Sequence, residues 1–234
     1  MHAVVLREFG DIENAQVDAF PDPEPRLGEV LIRVQAVAAN FVDLLVIGGK
    51  YQFLPELPFV PGKGPSGIVA GVGDGVTNLR EGDRVLAMAE QGGFGELVTA
   101  PAINVFKLPD SLTFVDAASM SLVYDTAWFA LFERGRIVAG ETALILGASG
   151  GVGYASVQLA KAKGAKVLAG LTTLAKASIF SDEDIDGVVD LSVDNLRDGL
   201  REQVFSLTDG VGVDVVMDPL GDEVSGAALR ALAW

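Results

Sequence analysis

No cysteine occurs in the 234 residues, and histidine occurs once, at His2. Without cysteine there is no disulfide, no thiolate nucleophile and no cysteine zinc site. Serine-histidine-acid catalysis would have to run through His2, which sits in an opening apolar run and reads as a surface residue of a first strand. Long uncharged apolar stretches are lacking as well. Arg7 and Glu8 interrupt the first run, and none reaches the roughly 18 residues of a membrane span, so a cytoplasmic protein with no membrane partner is expected. Basic residues are few, 17 against 32 acidic, for a formal charge of -15. That balance repels nucleic acid phosphate and excludes a nucleic-acid partner on electrostatic grounds.

What the chain does have is a globular balance, 50% hydrophobic and 21% charged, with length enough for two modest cores. Its organising stretch runs from Thr142 to Val167. The apolar run Thr142-Ala143-Leu144-Ile145-Leu146 meets the glycine cluster Gly147-Ala148-Ser149-Gly150-Gly151-Val152-Gly153. Ala155, Leu159 and Ala162 then recur at helical spacing, Lys161 and Lys163 fall in the last turn, and Gly164 is placed to cap it. Lys166 to Ala169 begins a second buried strand. Strand, glycine loop, helix and strand in that order predict dinucleotide binding, because the glycines let backbone approach a pyrophosphate and the helix N-terminus offers free amides to the anion.

The tip of the second strand selects the dinucleotide. NAD sites of this type place an Asp or Glu there to hold the ribose 2′-hydroxyl. From Ala165 to Ser181 there is no acid. Thr172, Thr173 and Lys176 stand at the tip instead, offering hydroxyls and an ammonium to a 2′-phosphate, so NADP (NADPH) is the expected cofactor. The alternative is that the threonines cap the next helix and Lys176 is a solvated side chain.

Residues 1 to about 112 have another texture. Short runs at Ala3–Leu6, Val30–Val34, Gly67–Ala70, Arg84–Ala87 and Glu96–Thr99 alternate with turn chemistry such as Pro21-Asp22-Pro23 and Gly73-Asp74-Gly75, predicting a small, partly open β-barrel. Ala39 to Leu45 reads as one or two helical turns, and the proline-rich loop from Gly48 to Pro61 is long enough to line a site. Thr113 to Glu133 reads as two helices interrupted around Val123 to Thr126. Further on, Val188–Leu191 and Val213–Met217 read as parallel strands with Leu196–Leu207 as the helix between them.

In that order, Asn40-Phe41-Val42-Asp43, Gly49-Lys50-Tyr51, Phe59-Val60-Pro61-Gly62, Val72-Gly73-Asp74-Gly75-Val76, Gly82-Asp83-Arg84-Val85, Tyr124-Asp125-Thr126-Ala127 and the glycine loop resemble the medium-chain dehydrogenase/reductase superfamily, in its zinc-independent quinone oxidoreductase (zeta-crystallin-like) branch. The resemblance covers the whole chain. It implies an α/β protein with an N-terminal GroES-like partly open β-barrel, residues 1–112, and an incomplete Rossmann domain, a doubly wound parallel sheet, residues 113–234. Family members continue beyond a segment like Ala231–Trp234 with further strands, so the chain is expected to be short at its C-terminal end and its last strand, Val213 to Asp218, to be an unpaired edge. Homodimers are expected of full-length members.

The activity implied is NADPH-dependent, zinc-independent hydride transfer to a quinone or an α,β-unsaturated carbonyl. A catalytically weak NADPH-binding sensor, or a fragment acting through a partner, is the alternative. By the resemblance, Asn40 and Tyr51 are the catalytic candidates on the substrate side, and Asn40 and Thr126 approach the cofactor. Ala148, Ser149, Gly150, Gly151 and Val152 lie under its pyrophosphate, and no metal is bound. Tyr51 is a candidate hydrogen-bond donor or proton source, or else an aromatic lid residue packing on Phe53 and Phe59. Asp43 could fix the loop through backbone hydrogen bonds, and Asp218–Gly221 could approach the cofactor or be a plain turn. Two departures from the family pattern, Gly64 for a usual Glu and Ile47 for a common Arg, remove charge expected beside the cleft.

Overall fold

The computed structural model describes residues 1–234, which divide into two compact units, Met1–Leu122 and Val123–Trp234. The division falls within the helix Phe114–Trp128, later than the expected boundary at residue 112.

The first unit opens with an antiparallel hairpin of β1 (His2–Leu6) and β2 (Ala15–Ala19). A five-stranded antiparallel sheet follows, from β3 (Glu29–Ala36), β4 (Ser66–Val72), β5 (Arg84–Ala87), β6 (Leu97–Pro101) and β7 (Val105–Lys107), in the order β6-β3-β4-β5-β7. Its outer strands are not joined to each other, as a partly open barrel requires. Alternation sets the inward face: Val30 and Ile32 of β3 are fully buried with Val69, Val85, Val98 and Ala100, while Arg33 points to solvent. Gly67 lets β3 and β4 approach, since a Cβ there would stand 2.1 Å from the Arg33 carbonyl oxygen. Between β3 and β4 lie the helix α1 (Phe41–Ile47) and the loop to Pro61. Leu6 is tied to Phe59 by reciprocal backbone hydrogen bonds of 2.8 and 3.1 Å, which closes that loop over a small core of Leu6, Val46, Ile47 and Phe59.

The helix α2 (Phe114–Trp128) runs unbroken, against the expected interruption at Val123 to Thr126. That segment holds neither proline nor glycine, so nothing in it breaks the hydrogen-bond ladder. The irregularity comes later, where Phe129–Arg134 widens to a π-helix and the Gly135 N–H donates to the Ala130 carbonyl at 2.7 Å.

The second unit is a parallel sheet of β8 (Thr142–Leu146), β9 (Lys166–Leu171), β10 (Gly187–Asp190) and β11 (Val215–Met217), in the order β10-β9-β8-β11. It is half of a doubly wound arrangement, with β8 first and β11 across the point where the order reverses. Both faces are covered, which is why β8 reads as an unbroken apolar run. Ala143 and Ile145 pack with Val157 and Ala160 of α3 (Gly151–Lys163), whereas Leu144 and Leu146 pack with Leu200 and Val204 of α4 (Leu196–Leu207). Each buried Val, Leu or Ile among these contributes about 1.5–3 kcal/mol. Gly164 caps α3 in the left-handed region, φ 87°, as its placement in the sequence predicts. A short helix α5 (Asp222–Ala228) follows β11.

The expected edge is present, but it is shorter and better covered than the sequence suggests. Only Val215–Met217 form the strand, at the margin of the sheet. Val213 is fully buried and pairs with the last residues of the chain, donating to Ala231 O and accepting from Ala233 N–H, both at 2.9 Å.

Candidate functional site

In the second unit the chain leaves β8 through Gly147, φ 60°, and enters α3 at Gly150. The Gly150 N–H turns back to Gly147 O at 2.9 Å, and the first helical bond is donated by Tyr154 to Gly150 O at 2.7 Å. The amides of Gly151, Val152 and Gly153 are therefore left without acceptors at the positive end of a 13-residue helix. Gly153 lets this helix sit so close to the strand end: a Cβ on it would lie 2.2 Å from Gly147 O and 2.8 Å from the Ala148 Cα. Ala148 is fully buried and its N–H bonds Gly170 O at 3.1 Å, so it fixes the loop to β9. Ser149 is half-buried and Gly151 exposed. A cradle of open amides around a glycine-tightened turn fits a pyrophosphate.

Thr172, Thr173 and Lys176 are all exposed just beyond β9, with Lys176 in the 3-10 turn Leu174–Ile179. The Thr173 side chain does not cap that turn, and Lys176 takes part in none of the chain's ion pairs. The capping alternative thus lacks its hydrogen bond, and a cation stands where an NAD site carries an acid. Thr126 borders a pocket of about 460 Å³ with Phe129, Arg134 and the whole of β11, Val215 to Met217. Asp218 closes a plain turn, its carboxylate accepting from Leu220 and Gly221 N–H at 2.9 and 3.0 Å. Leu220 on that turn lies against Gly147, 3.0 Å from where its Cβ would be. Tyr154 is half-buried, its ring stacked on Phe180 at 5.6 Å.

In the first unit Asn40 is the N-cap of α1, and its side-chain amide donates to Ala38 O at 3.2 Å. Asp43 fixes that turn, accepting from the Asn40 backbone N–H at 2.8 Å. Asp43 is buried, and burial raises its carboxyl above the ordinary value against the opposing pull of the Asn40 hydrogen bond and the Lys63 charge. Tyr51 packs against Leu6, Val46, Ile47 and Phe59, and its hydroxyl makes no hydrogen bond within the chain. Phe53 is 72% exposed and forms no ring contact with it, so only the Phe59 part of the lid alternative is seen.

Lys63 is the residue that sequence reasoning passed over. It lies in the buried run Pro61–Gly67, only 6% exposed, with its Nζ 5.2 Å from the centre of the Tyr51 ring and paired to Glu90. Its signal was a lone lysine among Phe59, Val60, Pro61 and Gly62. The two departures from the family pattern also find their causes. Gly64 has φ 63°, and a Cβ there would meet Ser121 Oγ at 2.1 Å, so a glutamate does not fit. Ile47 is a core residue packed with Leu6 and Phe59, not a lining residue of a cleft, which corrects its expected placement.

Residues 26–110 match the alcohol dehydrogenase GroES-like domain family. A quinone oxidoreductase-like protein 2 homolog of Nematostella vectensis is 38% identical over 99% of this chain, which covers 62% of that relative's length. Among solved structures, a mycobacterial quinone oxidoreductase is 35% identical with a TM-score of 0.87, over 100% of this chain and 71% of that one. A mycobacterial protein solved in complex with NADPH is 34% identical with a TM-score of 0.89, over 100% and 71% of the two chains. Similarity of this extent, on an antiparallel GroES-like unit and a parallel Rossmann-like unit, places the chain in the medium-chain dehydrogenase/reductase superfamily, in its quinone oxidoreductase branch.

Proposed function

We propose that this protein is an NADPH-dependent, zinc-independent reductase of quinones or α,β-unsaturated carbonyls. The observation that carries the reading is the pairing of an amide-lined glycine loop with a strand tip that has Lys176 and no acid. When bound, NADPH supplies the hydride. The open amides of Gly151 and Val152, with Ser149 beside them, hold the pyrophosphate, while Lys176 and the hydroxyls of Thr172 and Thr173 hold the 2′-phosphate. Thr126 contacts the nicotinamide side. The likeness to a mycobacterial structure solved with NADPH supports the same choice.

The first unit supplies the substrate side. Hydride arriving at a conjugated carbonyl or quinone leaves negative charge on an oxygen, which needs a hydrogen-bond donor and then one proton. Tyr51 has a hydroxyl with no partner in the chain, and the Asn40 amide stands at the start of α1, held in place by Asp43. Tyr51 serves as donor and proton source, and Asn40 orients the acceptor and the cofactor. No metal enters this scheme, since a chain with no cysteine and one histidine lacks the usual zinc ligands. The test is NADPH consumption, followed by absorbance, over a panel of quinones and α,β-unsaturated carbonyls. Turnover with one class supports the reading and settles the acceptor; nucleotide binding with no turnover of any acceptor would favour a sensor instead.

A further inference from the structure

Lys63 is the only buried lysine of the chain, and backbone pairing holds its partner across from it. Gly64 N–H donates to Ala89 O at 3.2 Å and Gly93 N–H to Gly62 O at 2.9 Å, which brackets Lys63 and Glu90 between two paired segments. The two environments are unequal: the Lys63 side chain is 8% exposed and that of Glu90 is 82% exposed. Around them Val46, Phe53, Leu54 and Pro55 complete a pocket of about 470 Å³. We propose that this pocket binds an organic carboxylate with an apolar body, its carboxylate replacing Glu90 on Lys63. Resting on the reductase reading above, the inference makes the acceptors acidic conjugated carbonyl compounds.

Binding at this pocket is an exchange of one carboxylate for another on Lys63. A buried ammonium left without a counter-charge is strongly unfavourable. An exposed carboxylate that leaves such a pair is rehydrated at once, so Glu90 is a counter-ion that costs little to displace. A ligand carboxylate arriving at Lys63 keeps the ammonium paired, whereas a neutral ligand that pushed Glu90 aside would remove its one direct ion pair and leave only the more distant Asp43 charge. The pocket therefore discriminates by penalising the neutral ligand as well as by attracting the anion. Asp43 faces Lys63 from α1 and Tyr51 from the loop, and neither competes for the open side. The apolar walls, with Phe53 72% exposed and Leu54 43% exposed, supply the surface that an aromatic or alkenyl body would cover.

Calorimetry without nucleotide, comparing benzoylacrylate with its methyl ester, tests the site apart from turnover. The chain has no cysteine, so these conjugated probes meet no thiol to alkylate. The acid is expected to bind about tenfold more tightly than the ester, a preference that Lys63→Met abolishes. Glu90→Gln, at an exposed position, leaves no counter-ion to displace and should strengthen binding of the acid. Equal affinities for acid and ester, binding of neither, or a preference that survives Lys63→Met would each overturn the proposal. Should Lys63→Met fail to fold, an unaltered acid affinity in Glu90→Gln overturns it equally. Oxidation of NADPH by neutral quinones with no preference for the acid would sink this inference and leave the reductase reading standing; binding of the acid without any NADPH oxidation would do the reverse.

Discussion

Gly153 shows how a single missing side chain shapes the nucleotide loop. Its role is close approach rather than a left-handed turn, because the nearest obstacles are backbone atoms of Gly147 and Ala148 that cannot rotate away. Gly153→Ala should cost about 1–3 kcal/mol in stability through overpacking and weaken nucleotide binding as the loop shifts, which a thermal melt and a fluorescence titration would show together. Lys176 is the opposite case, an exposed side chain in no ion pair whose loss should leave the fold untouched. Lys176→Ala should weaken NADPH by about 1.5–3 kcal/mol, the worth of one charged hydrogen bond, and leave NADH nearly unchanged. Equal losses for both nucleotides would remove the 2′-phosphate role from Lys176.

Helix α1 depends on a buried acid at its start. The Asp43 carboxylate satisfies the Asn40 N–H, but burial disfavours its charge, so its folded-state pKa is raised. With a raised carboxyl, the stabilising contribution is fully present below the unfolded value of about 3.9 and is lost as pH rises through the folded one. Asp43→Asn keeps an acceptor without the charge; it should therefore be at least as stable as the parent at neutral pH, with any advantage fading in acid. Asp43→Ala removes the acceptor and should cost about 0.5–2 kcal/mol. Melts of the two variants across pH separate the effects, and an Asn variant less stable than the Ala variant at neutral pH would contradict this account.

Which parts of the fold were legible follows from how local their signals are. Strand β8, the glycine loop, α3 and its Gly164 cap are one contiguous stretch in which period, loop chemistry and capping agree, and α4 spans the residues that its spacing predicts. The strands β2 and β7 were missed because they are short and largely exposed, so their residues form no buried face. The interruption read into α2 had no proline or glycine to cause it, and the pairing of Val213 with Leu232 was hidden because no local pattern marks it. In the candidate site the same rule holds. The nucleotide loop declares itself within a dozen or so residues, but Lys63 gains its meaning only when Glu90, Asp43 and Tyr51 arrive from other segments.

Taken over the entire chain, composition constrains chemistry more firmly than any one motif. With no cysteine and a single histidine, purified protein should carry no stoichiometric zinc, and NADPH oxidation should survive exhaustive chelation. One zinc per chain retained through dialysis would contradict the reading. In the sheet of the second unit β11 stands beside β8, and the backbone pairing of Val213 with Ala231 and Ala233 covers the residues just before it.

The identity of the nucleotide decides the proposed function, and a titration of the unaltered protein with NADPH and NADH under the same conditions tests it most directly. Lys176 and the acid-free tip after β9 predict that NADPH binds at least about tenfold more tightly, the equivalent of one charged contact. Equal affinities, tighter binding of NADH, or no binding of either would contradict it.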